Sequence, residues 1–73
     1  MSVDELTIGE IIQQAQAENW VVEISSGKNY YLVMIISDFI IETYTLLQDP
    51  IINQKNNVYN YRRTLRHPEI QPE

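Results

Sequence analysis

The chain has 73 residues, 44% of them hydrophobic and 21% charged, with two glycines and no cysteine. That is one small globular unit rather than a disordered segment. A domain of this size buries only about 60% of the surface its unfolded chain exposes, and without cysteine it has neither disulfides nor a zinc–thiolate knot to compensate. Oligomerisation or a partner is then the expected remedy. Residues 30–36 are the longest apolar run, far short of the roughly 18 residues of a membrane span. The acidic start Met1-Ser2-Val3-Asp4-Glu5 has no long apolar stretch behind it and does not read as a secretory signal. A cytoplasmic location is the expectation.

Charge is uneven. Residues 1–50 carry eight acids and one base, Lys28, for −7, whereas residues 51–73 carry Lys55, Arg62, Arg63 and Arg66 against Glu69 and Glu73, for +2. An acidic body with a mildly basic end argues against tight nonspecific nucleic-acid binding by the body.

Thr7-Ile8-Gly9-Glu10 has the capping-box pattern, and Leu6 with Ile11 has the spacing of a hydrophobic staple. A helix starting near Ile8 would align Ile8, Ile11, Ile12 and Ala15 in one apolar stripe, fading at Glu18-Asn19. Residues 2–6 would lead into it as a short strand or extended arm. Residues 20–25 read as a strand with Trp20, Val22 and Ile24 on one face, and Trp20 is expected as core filler. Ser25-Ser26-Gly27-Lys28-Asn29 supplies turn chemistry, with Gly27 free to take positive φ. Residues 30–36 then form a nearly continuous apolar strand, as a strand covered on both faces would be. Together these segments make an antiparallel hairpin under the helix.

Ser37-Asp38 is a candidate cap for a second helix through Leu47, although the β-branched residues of 39–47 favour a third strand equally. Asp49-Pro50 has the pattern of a cap followed by the first helical position. Ile51, Val58 and Leu65 recur every seven residues with Tyr61 between, a narrow seam on an otherwise polar helix that His67-Pro68 would stop. Such a helix cannot bury its seam alone.

Groups for catalysis are sparse. His67 is the single histidine, there is no cysteine to join it as a metal ligand, and the two glycines are isolated. Asp4, Glu5 and Glu10 offer carboxylates with nothing in the sequence to desolvate them. The expectation is a binding protein, with no enzyme activity, metal or cofactor.

The run Thr7-Ile8-Gly9-Glu10-Ile11-Ile12 leading into Trp20-Val21-Val22-Glu23-Ile24 resembles the Phd/YefM antitoxin family, as do Gly27-Lys28, Leu32-Val33, Ser37-Asp38-Phe39 and Glu42-Thr43-Tyr44-Thr45-Leu46-Leu47-Gln48-Asp49-Pro50. The similarity covers residues 2–66, and its specificity lies in the order and spacing of short pieces. It implies an N-terminal dimer that binds operator DNA, and a C-terminal segment that folds as a helix over a toxin. Lys28 is the residue the resemblance offers to DNA.

The sequence therefore predicts an α+β fold: a helix packed on a small antiparallel β-hairpin or sheet with a C-terminal helix or helices, forming a dimer. Residues 1–38 would be the dimerising body, 39–67 the partner-binding helical segment and 68–73 a tail. Tyr44, Leu47, Ile51, Val58, Tyr61 and Leu65 would anchor a protein partner (a toxin), with Arg62, Arg63 and Arg66 on the rim. Two other readings stand beside this one. The first is a small acidic inhibitor that mimics nucleic acid and blocks a nuclease, which requires Asp4, Glu10, Glu18, Glu23 and Asp38 on one contiguous face. The second is a plain dimerisation module.

Overall fold

The structure, a computed structural model, describes residues 7–55 and 58–66. In chain order the elements are α1 (Ile8–Ala17), β1 (Val21–Ser26), β2 (Tyr31–Ile36), β3 (Ile40–Leu46) and β4 (Asn60–Leu65). The strands make one antiparallel sheet in the order β1-β2-β3-β4. Ile8 and Ala15 of α1 are buried with Val33, Ile35, Tyr44 and Leu46, and Ile11, Ile12 and Val22 pack around them. The helix thus covers one face of the central strands.

Both ends of α1 are set locally. The Thr7 hydroxyl accepts from the Glu10 amide at 3.3 Å, and the Glu10 carboxylate accepts from the Thr7 amide at 2.9 Å, completing a capping box. At the other end Asn19 adopts φ 62°, the left-handed conformation that reverses the chain. The Asn19 amide donates to the Gln16 carbonyl at 3.1 Å and the Trp20 amide to the Ala15 carbonyl at 3.0 Å, the pair of bonds that closes a Schellman motif.

The expected C-terminal helix or helices are replaced by strands among the described residues. Ser37 captures amides as a helix cap would, its Oγ accepting from Phe39 and Ile40 at 3.3 and 3.1 Å. The same oxygen also donates to the Ile40 carbonyl, and the Ser37 amide donates there at 2.9 Å, so the motif closes the β2–β3 turn. Cap and turn use the same side-chain bonds, and Ile40, Ile41, Thr43 and Thr45 then decide for strand. Asp49 likewise caps only one turn: its Oδ1 accepts from the Ile51 amide at 2.9 Å and its carbonyl from the Asn53 amide at 2.9 Å. The Asn53 side chain then accepts from the Lys55 amide at 3.2 Å, diverting the backbone before a second turn forms. Ile51 lies in that turn, Val58 in the loop end and Leu65 on β4, so their sevenfold spacing marks no seam.

Three smaller expectations change too. Gly27 takes no positive φ; a Cβ there would push against the exposed Tyr30 ring, which would have to move aside. Trp20 is 41% exposed rather than core filler. Among the described residues β2 is covered on one face only: Val33 and Ile35 are buried by the helix, while Leu32, Met34 and Ile36 point to the opposite face. The expected arm at residues 2–6, the staple residue Leu6, the stop at His67-Pro68 and the tail at 68–73 lie outside the described residues. No described helix is long and apolar enough to cross a membrane.

Candidate functional site

Among the described residues the sheet's helix side is not fully covered. Alternation along each strand puts Ile40, Glu42 and Tyr44 of β3 on that side together with Tyr61, Arg63 and Leu65 of β4, in the cross-strand pairs Ile40–Leu65, Glu42–Arg63 and Tyr44–Tyr61. The helix reaches over Tyr44, which is buried, but not over β4, whose six residues are all exposed. An open cleft of about 200 Å³ remains, lined by Trp20, Ile35, Ser37, Ile40, Glu42 and Arg63.

One polar cluster organises this region. The Tyr61 hydroxyl donates to Glu42 Oε2 at 2.8 Å and the Tyr44 hydroxyl to Glu42 Oε1 at 3.2 Å. Their rings are tilted by 40° with centroids 5.1 Å apart, a geometry that adds to simple area burial. Burial, then the adjacent Glu42 carboxylate, pushes both phenolic hydroxyls above their ordinary pKa, so both remain proton donors at neutral pH. The result is a rigid carboxylate beside the Arg63 guanidinium with an apolar floor.

Among the described residues β4 is also an edge strand of the sheet, as β1 is on the opposite side. The Arg66 amide donates to the Phe39 carbonyl at 2.7 Å, and by antiparallel alternation the amides of Arg63 and Leu65 point away from β3, toward solvent, while the Tyr61 amide donates to Asn60 Oδ1 at 2.8 Å. Around them Phe39, Tyr59, Tyr61 and Leu65 are exposed, as are Leu47, Ile51 and Ile52 of the preceding loop. Arg62 and Arg63 give this edge positive charge.

The expected anchors are therefore divided. Tyr61 and Leu65 share one face of β4 and Arg62 occupies the other, while Leu47 and Ile51 are exposed in the loop. Tyr44 is only 7% exposed and Val58 packs against the core, so neither is free to fill a partner's groove. Arg66 is committed at home, its guanidinium donating to the Ser37 carbonyl at 2.9 Å. Arg63, expected on the rim, lines the cleft, whereas Glu42 and Trp20 were not among the expected binding residues. The signal for Glu42 lay in its spacing: an acid two residues before Tyr44 in a β-branched run shares a strand face with it.

Lys28 sits exposed in the β1–β2 turn with no other base among residues 7–50. The acids required for nucleic-acid mimicry are split: Glu10 and Glu18 belong to the helix side, Glu23 points to the opposite sheet face and Asp38 lies in the β2–β3 turn. That reading gets no contiguous surface, and Asp4 lies outside the described residues. Among the described residues no group of three His, Cys, Asp or Glu side chains could hold a metal. No family model, curated protein or solved structure matches the chain.

Proposed function

We propose that this chain is a protein-binding module that acts through its C-terminal half, accepting an extended segment of its partner along β4. The carrying observation is a six-residue edge strand exposed at every position, with the outward amides of Arg63 and Leu65 open, two arginines and the apolar side chains of Tyr61 and Leu65. Addition of a strand would saturate the backbone edge, while side chains at alternate positions choose the partner. The basic edge selects an acidic segment, and the cleft beside Glu42 and Trp20 accepts one of its side chains. The narrower form of the proposal is toxin neutralisation, supported by the ordered motif resemblance across residues 2–66, with a strand taking the place of the wrapping helix.

The test is coexpression with the protein encoded next to this chain's gene, followed by amide exchange on the isolated complex. Slowed exchange at Arg63 and Leu65, together with relief of growth inhibition, supports the reading. Arg63→Pro removes an outward amide without touching a β3–β4 hydrogen bond, and edge strands accept proline at such positions. It should abolish the complex and leave the fold intact. A complex with unchanged exchange along β4, or one indifferent to Arg63→Pro, would refute strand addition.

A further inference from the structure

The sheet face opposite the helix carries an apolar patch along β2 and its neighbours with no cover within the described residues. Three rows cross it: Val21, Ile36, Ile41 and Thr64; Glu23, Met34, Thr43 and Arg62; Ser25, Leu32, Thr45 and Asn60. Leu32, Met34, Ile36 and Ile41 form its centre, each half-buried by its sheet neighbours alone, and Val21 at the edge is 52% exposed. The unbroken apolar sequence of β2 is the pattern of a strand covered on both sides, and the helix supplies one cover. An apolar centre with a polar rim is also the anatomy of a protein interface.

The charges on this face say what fits it. Its two charged side chains, Glu23 on β1 and Arg62 on β4, lie in the same middle row at opposite edges of the sheet. Three strand spacings separate them, roughly 14 Å, so they cannot pair within one chain. We infer that the open face docks a second copy of this chain, the two sheets packing face to face about a twofold axis that runs along the strands between β2 and β3. That rotation lays β1 over β4 of the second copy and β2 over its β3. Glu23 of each copy then meets Arg62 of the other, and Ile36 meets Ile41. The alternative twofold, across the strands, sets Glu23 on Glu23 and Arg62 on Arg62 and is rejected by like-charge repulsion. The arrangement is an aligned sandwich. Its face measures about 20 Å by 20 Å, at the small end for specific association, so the dimer dissociates on dilution. β4's backbone edge and the cleft stay outside the contact, and Arg62 is the one charged residue the dimer shares with the edge proposed for strand addition.

Analytical ultracentrifugation of the full chain over a wide concentration range is the test, with circular dichroism to confirm that each variant keeps its fold. The natural chain should pass reversibly from monomer to dimer. Glu23→Lys alone and Arg62→Glu alone each place two like-charged pairs in the dimer and should weaken it by about a hundredfold. Mixing these two variants restores both ion pairs, because the introduced lysine of one copy meets the introduced glutamate of the other, so heterodimers should form at the natural strength. A chain monomeric at all concentrations overturns the inference. So does a dimer insensitive to both substitutions, or a mixture no stronger than its components, since either would place the contact elsewhere.

Discussion

The amide of Gly9, in the first turn of α1, donates to the backbone carbonyl of Gln54 at 2.8 Å. This bond satisfies one of the helix's unpaired N-terminal amides and holds the long β3–β4 connection against the start of the helix. The approach leaves no room for a side chain: a Cβ on Gly9 would lie 2.8 Å from both the Gln54 Cβ and its carbonyl oxygen. Gly9→Ala should therefore destabilise the fold by about 1–3 kcal/mol, even though alanine gains nearly 1 kcal/mol of helix propensity. Thermal unfolding checks the sign. A melting temperature raised by the substitution would mean that the connection does not rest on the helix.

The paired tyrosines predict a one-sided pH dependence. Tyr44 and Tyr61 have raised pKa values, from burial first and then from the Glu42 carboxylate that accepts their protons in hydrogen bonds. In the unfolded chain both titrate near about 10. Below that pH both states are protonated and the cluster's stabilisation is complete. Above it the unfolded chain loses protons that the folded chain retains, so stability falls with rising pH. Urea midpoints should hold level from about pH 8 to pH 9.5 and drop by about pH 11. Tyr44→Phe should flatten that drop; an unchanged drop in this variant would assign the alkaline loss to other groups.

The chemistry legible in the sequence is chemistry that closes within a few residues. Thr7 and Glu10 form their reciprocal cap wherever the rest of the chain goes, and the Ile8–Ala15 stripe lies on the sheet in the structure. Ser37 and Asp49 show the limit of such signals. Each makes the hydrogen bonds of a cap, yet one closes a hairpin and the other a single isolated turn, because cap bonds report a local bend and carry no information about the element downstream. Residues 40–46 become a strand through pairing with β2 on one side and β4 on the other, contacts no short window contains. The Tyr44–Glu42–Tyr61 cluster is half legible: the sequence marks both tyrosines, but as anchors for a partner, since Tyr61 lies 19 residues from the carboxylate it binds.

Asn19 offers a stabilising change. Its φ of 62° is a conformation in which a Cβ is strained, tolerated by asparagine and free of cost for glycine. The two bonds of the motif involve backbone only, so Asn19→Gly preserves them. The gain should be a few tenths of a kcal/mol, as the greater freedom of glycine in the unfolded chain offsets part of the relief. Asn19→Val should cost about 1–2 kcal/mol. Denaturant midpoints for the three proteins should fall in the order Gly, Asn, Val, and a reversed order would indicate that this residue is not left-handed in solution.

Leu46 and Leu47 separate the core from the binding surface with one pair of substitutions. Successive residues at the end of β3 point to opposite sides: Leu46 is fully buried against the helix, and Leu47 is 61% exposed where the chain leaves the sheet. Leu46→Ala removes methyl groups from the packed centre and should cost about 2–5 kcal/mol, the range set by how far the site collapses. For a domain this small a loss of that size approaches the whole stability, so the variant should be largely unfolded at 37 °C. Leu47→Ala touches no core contact and should change stability by less than about 0.5 kcal/mol. If Leu47 contributes to the partner surface beside β4, its truncation weakens the complex with the melting curve unmoved. A large stability loss from Leu47→Ala would instead place that side chain inside the isolated fold and remove it from the binding surface.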